Sequence, residues 1–182
     1  DRGDVETART HAQVAAELDP WSLFLLRDDY LRKCDYAGAR AQYEKALTAL
    51  FAKELPTFKE RDAFAAIDLA VVLQHTGEGD RAKALLDRSE AYFRATPRMG
   101  AFGSGYSDVR ISALRGEKLK ALASLREAEQ AHCRAFWRYY RDFDPALASI
   151  RNEPEFKAIF ADIERDMARQ RAALAARPKD AQ

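Results

Sequence analysis

No stretch of this 182-residue chain holds the roughly 18 consecutive apolar residues that a membrane-crossing helix needs, so no segment reads as a bilayer span and no membrane partner is expected. An excess of charge is missing too. Thirty Lys and Arg face 29 Asp and Glu, for a net charge of +1, so the chain as a whole has no electrostatic reason to seek nucleic acid or an anionic lipid surface. Cysteine is scarce: Cys34 and Cys133 are too few for a disulfide framework or a metal knot. Both are expected to be free thiols in a helical core, a bridge or redox role being the alternative. His11, His75 and His132 stand far apart, and although Cys133 follows His132, no third ligand comes one turn later. No metal site is expected. The start of the chain lacks the pattern of a signal peptide. It also lacks Met, and residue 1 reads as a processed end or a cut.

Catalytic patterns are equally thin. Gly100–Gly105, "GAFGSG", follows no strand and precedes no G-K-[ST], which makes it a linker and not a phosphate cradle. Asp28-Asp29 and the Asp142/Asp144 pair are the only carboxylate groupings that invite an acid–base reading. Asp144 is better placed as a helix cap before Pro145, and Asp28-Asp29 as solvated or groove charges. No catalytic residue is named, no cofactor is expected, and the chain is not read as an enzyme. Sustained alternation of period 2 is absent as well, and the apolar spacing is helical throughout, which predicts an all-α fold.

What the sequence does have is a recurring phrase. Gly3, Cys34, Gly77 and Gly116 each stand five residues before an alanine, namely Ala8, Ala39, Ala82 and Ala121. Four and seven residues after these alanines come Ala12 and Ala15, Tyr43 and Ala46, Leu86 and Ser89, and Leu125 and Ala128. A glycine at an inter-helix turn tolerates positive φ, and a small residue one turn into the next helix lets two helix backbones approach closely. The alanines are 31, 43 and 39 residues apart. A matching first helix lies upstream of two phrases, at Leu26–Tyr30 and Leu69–Leu73.

This pattern resembles the tetratricopeptide repeat, with its W-x2-L-G-x2-Y…A-x3-F…P signature over about 34 residues. The resemblance implies a right-handed α-α superhelix, a solenoid of antiparallel helix pairs, formed by one domain over residues 1–182. Residues 3–20 would be the second helix of a repeat whose first helix is missing, so the chain is expected to be cut from a longer array. Residues 21–55, 60–96 and 104–133 would be repeats, with inserts at "KELPTFKERD" and "TPRMGAFGSGYS". An N-terminal face on Val5, Ala8, Ala12 and Ala15 would lack its upstream neighbour, making a homodimer through that edge one expected outcome.

Residues 136–177 would be a degenerate repeat and a capping helix. Asn152 is the expected N-cap, with Glu155 three residues on, and Phe156, Ile159, Phe160 and Ile163 form one apolar face that Met167 extends. The stretch "HCRAFWRYYRDF", 132–143, is expected to pack its rings under this cap with arginine stems covering them; stacking on nucleic acid is the competing reading. The phrase D-P-x-L-x-x-I/L-R-x-x-P-x-F and the Gly-Glu turn before "KALASLREA" resemble the C-terminal repeats of bacterial multidomain signalling proteins. Those proteins carry a winged-helix DNA-binding or nucleotidyl-cyclase module, often a TolB-like propeller, ahead of their tetratricopeptide repeats.

The resemblance implies a function without chemistry: a protein–protein interaction scaffold whose groove, lined by first helices, takes a peptide, a protein partner or the upstream domains. Aligning on the anchor alanines places Trp21, Phe24, Asp28 and Arg32 in that lining, then Phe64, Ile67, Val71 and Gln74, then Tyr106 and Arg110. Lys and Asn, which a carboxylate-capturing groove would need, are absent from the set, so an apolar groove is expected. The alternative is a sensory domain that binds a small effector and modulates an attached transcriptional or cyclase module. Free cysteines lean cytoplasmic; a membrane-tethered regulator would put this region in the periplasm.

Overall fold

The computed structural model describes residues 5–18, 23–96 and 105–176. Among these the fold is all-α, with nine α-helices, two short 3-10 helices and no strand. The chain falls into two compact units, residues 1–97 and 98–182. Unit 1 contains α1 (Val5–Leu18), α2 (Leu23–Arg32), α3 (Tyr36–Ala46), a 3-10 helix at Thr48–Phe51, α4 (Glu60–His75) and α5 (Gly79–Ala95). Unit 2 contains α6 (Tyr106–Leu114), α7 (Lys118–Gln130), α8 (Trp137–Asp142), a 3-10 helix at Pro145–Leu147 and α9 (Pro154–Ala175). No helix among the described residues is long and apolar enough to cross a membrane.

The recurring phrase has a common geometry. Cys34, Gly77 and Gly116 all adopt left-handed φ, at 56°, 80° and 77°. In each case the next residue turns its N–H back on the helix just ended: Asp35 to the Tyr30 carbonyl, Glu78 to Leu73 and Glu117 to Ser112, each at 2.9 Å. This is the Schellman end of an α-helix, in which a left-handed residue lets a terminal carbonyl find a donor. Asp35, Glu78 and Glu117 then open the following helix, their carbonyls accepting from the N–H of Ala39, Ala82 and Ala121 at 3.1, 3.0 and 2.9 Å. These alanines are at most 1% exposed, because the partner helix passes over them and a larger side chain would hold it off. Glycine takes the left-handed conformation at no steric cost; Cys34 takes it against a penalty of about 1–2 kcal/mol.

In unit 1, α4 is buried on nearly all sides, through Ala63, Ala65, Ala66, Ile67, Leu69, Ala70, Val71, Val72 and Leu73. Ser89 of α5 is completely buried, and its hydroxyl lies 3.0 Å from the Ala63 carbonyl and 2.9 Å from that of Leu85, joining α5 to the start of α4. Helix α1 packs against α2 with Ala12 buried, while Val14 faces outward. The side chains of Val5 and Ala8, placed at an open edge from sequence, lie outside the described residues. The segment between α3 and α4 is held by arginines. Arg81 donates to the Leu50 carbonyl at 2.9 Å, and the guanidinium groups of Arg40 and Arg81 lie over the Phe51 ring.

The core of unit 2 is aromatic. Tyr106 of α6 stacks on Tyr140 at 3.9 Å and lies near-parallel to Phe160 of α9 at 6.3 Å, with Trp137, Phe156, Ile159 and Ile163 buried around them. The apolar face foreseen on α9 is the face it buries, with Met167 packed at its margin. The start of that helix differs from expectation: Glu153 is the capping residue and Pro154 the first helical one, not Asn152. Pro154 lacks an N–H, which suits the first turn, where amides have no intrahelical partner.

Candidate functional site

Groove residues expected from the repeat register divide by accessibility. Trp21 lies outside the described residues. Phe24 and Phe64 are half-buried, Phe64 meeting Phe93 edge to face at 5.0 Å. Arg32 and Gln74 are exposed. Ile67 and Val71, by contrast, are 0% and 2% exposed, because residues 63–73 of α4 are apolar at every position but Asp68 and such a stretch sits inside the fold. Tyr106 and Arg110 are buried as well. Tyr106 is a centre of the aromatic core, and burial holds its hydroxyl above the usual tyrosine pKa. These four residues do not line an open surface.

The remaining groove residue, Asp28, belongs to an ion-pair cluster that the sequence did not reveal. Arg27, with no side-chain exposure, holds Asp28 through Nε at 3.0 Å and Nη2 at 2.7 Å, and reaches Asp68 of α4 through Nη1. A long charged side chain is tolerated in this buried position because two carboxylates meet it. Asp29, beside them, pairs with Lys33 at 2.7 Å. Unit 2 repeats the device: Arg110 of α6 lies 2.8 Å from Asp144, whose side chain is wholly buried. The other Asp144 oxygen accepts from the Ala146 N–H at 3.0 Å, the capping role expected from Pro145. Its carbonyl accepts from Arg151 at 2.5 Å, and Arg151 also donates to the Arg141 carbonyl at 2.9 Å. Residues 34 apart in the chain carry no local signal of pairing.

The other candidate chemistry resolves into structure. Cys34 and Cys133 are both free thiols. Cys133 is in the core, where burial raises its pKa; Cys34, expected there also, is exposed because it forms the α2–α3 turn. The Tyr36 hydroxyl bonds to the Cys34 side chain, which raises its pKa, and the Tyr36 ring stacks on His75 at 4.4 Å. Glu78 is held below its usual pKa by Arg40, at 2.5 Å. No group of three His, Cys, Asp or Glu side chains converges as a metal site among the described residues.

The basic and aromatic stretch at 132–143 mixes buried and exposed residues. Trp137 is buried, with the guanidinium carbons of Arg138 and Arg141 each 4.9 Å from its ring. Arg134 pairs with Asp166 of α9 at 3.1 Å and with Glu129 at 3.7 Å, and Arg141 with Asp142 at 2.7 Å and Glu164 of α9 at 3.3 Å. These pairs keep Asp142 and Asp166 below the ordinary aspartate pKa. Phe136 and Phe143 do not join the core; they are 77% and 66% exposed.

With this geometry in hand, comparison with family models, with curated proteins and with solved structures finds no match to the chain.

Proposed function

We propose that this chain is a non-enzymatic protein–protein interaction scaffold, a tetratricopeptide-like α-α superhelix from the C-terminal region of a larger bacterial regulatory protein. The observation that carries the reading is the turn geometry shared by three helix pairs: a left-handed residue, a 2.9 Å closing bond and an alanine at most 1% exposed, all in one register. A motif reused in this way is the mark of a repeat architecture, in which each pair buries its face on a neighbour and the first helices present a surface to partners. The carboxylates that invite an acid–base reading are engaged instead with basic side chains: Asp28 with Arg27, Asp29 with Lys33, Asp144 with Arg110, Asp142 with Arg141. On this reading the accessible partner surface of unit 1 is carried by Phe24, Arg32, Phe64 and Gln74, at the exposed or half-buried positions of α2 and α4.

Site-specific photo-crosslinking in native cells tests the proposal. A benzoylphenylalanine at position 24 or 74 is expected to capture a discrete protein partner, and one at Ala91, exposed on the second helix α5, is expected to capture none. Equal yields at all three positions, or no adduct at 24 and 74, would overturn the assignment of that face.

A further inference from the structure

We draw no further inference here: the strongest candidate, the side-chain cluster at the α2–α3 turn where the exposed Cys34 thiol meets Tyr36 and the Tyr36 ring stacks on His75, rests on a lone cysteine, and nothing in the structure shows what would bind or modify it.

Discussion

In unit 1 the helices meet over small residues, and in unit 2 they meet over rings. Ala63, Ala66, Ala70 and Ala82 carry the α4–α5 contact with at most 1% exposure, and Ser89 adds two hydrogen-bonding contacts at no volume. Tyr106, Tyr140, Trp137, Phe156 and Phe160 carry the packing of α6, α8 and α9. Close backbone approach demands one kind of residue and filling a wide gap demands the other. The α6–α7 pair of unit 2 keeps the alanine turn of unit 1 at Gly116 and Ala121, so the change of material coincides with the capping segment and not with the unit boundary. Both units also bury one arginine from a first helix against aspartate, yet the settings differ. Asp28 and Asp68 retain 18% and 15% side-chain exposure, whereas Asp144 retains none.

That difference predicts the largest effects. Arg110→Leu leaves the Asp144 carboxylate in the interior with its charge unanswered, and breaking a buried pair from one side costs about 3–5 kcal/mol. Arg27→Leu leaves two carboxylates that water can still reach, and should cost about 1–3 kcal/mol. The two units need not unfold together, so the comparison requires hydrogen exchange resolved by peptide. Arg110→Leu should raise exchange in α6, α8 and α9, and Arg27→Leu in α2 and α4. Equal losses from the two variants would mean that the wetness of the carboxylate does not set the cost. Arg110→Leu with Asp144→Leu should recover most of the loss of the single change.

The alanine turns come next. Ala82→Leu in unit 1 and Ala121→Leu in unit 2 should each cost about 1–3 kcal/mol through overpacking between paired helices. Thermal unfolding equal to the parent for both would show that close approach at these alanines is not required. At the turns themselves, Gly77→Ala and Gly116→Ala should each cost about 1 kcal/mol, since neither glycine has a neighbour within 4 Å of an added Cβ and the φ alone is penalised. Cys34→Gly should stabilise by up to about 1 kcal/mol and bring the α2–α3 turn into line with the other two. Gly38 behaves differently: an added Cβ would lie 2.4 Å from the Asp35 carboxylate that caps α3 and 2.7 Å from the Tyr30 ring. Gly38→Ala should therefore fail to deliver the helix-propensity gain of about 1 kcal/mol that alanine normally brings.

What was readable in the sequence follows this same line. Glycine five residues ahead of alanine was a local pattern, and so were Asp144 before Pro145 and the apolar face of α9; each was legible because its physics acts within about two helical turns. The Arg27–Asp68 and Arg110–Asp144 pairs act between helices, and nothing near Arg27 or Arg110 in the chain announces them. Repeat register places Ile67 and Val71 in a groove, but the run from Ala63 to Leu73 is apolar at every position except Asp68, a signal of near-complete burial that outweighs register. Cys34 was read by residue type as a core thiol, although it stands at the turn position that Gly77 and Gly116 share, and position decided.

The smallest effect, and the sharpest discriminator between the units, is acid. Glu78 in unit 1 is depressed chiefly by its hydrogen bond with Arg40; Asp142 and Asp166 in unit 2 are depressed chiefly by those with Arg141 and Arg134. A carboxyl whose pKa is lower folded than unfolded favours the folded state above its unfolded pKa of about 4. That contribution is lost as pH falls through the depressed folded value, so all three act in the range from about pH 4 downward and none acts near neutrality. All three sit near the surface, where water and salt screen each pair and keep its contribution small. The two groups of unit 2 both belong to the helices at its C-terminal end: Asp142 ends α8 and Asp166 lies on α9. Acid should therefore loosen the capping segment before it loosens the alanine-packed pairs. In a Trp21→Phe background the remaining Trp137 reports unit 2 by its fluorescence, while helical circular dichroism reports the whole chain. Between pH 5 and pH 3 the Trp137 melting transition should fall further than the dichroic one. Asp142→Asn with Asp166→Asn should flatten that fall while lowering the melting temperature at pH 7. If the two transitions fall together, or the double variant keeps the acid slope of the parent, the charge pairs under α8 and α9 are not what makes unit 2 acid-sensitive.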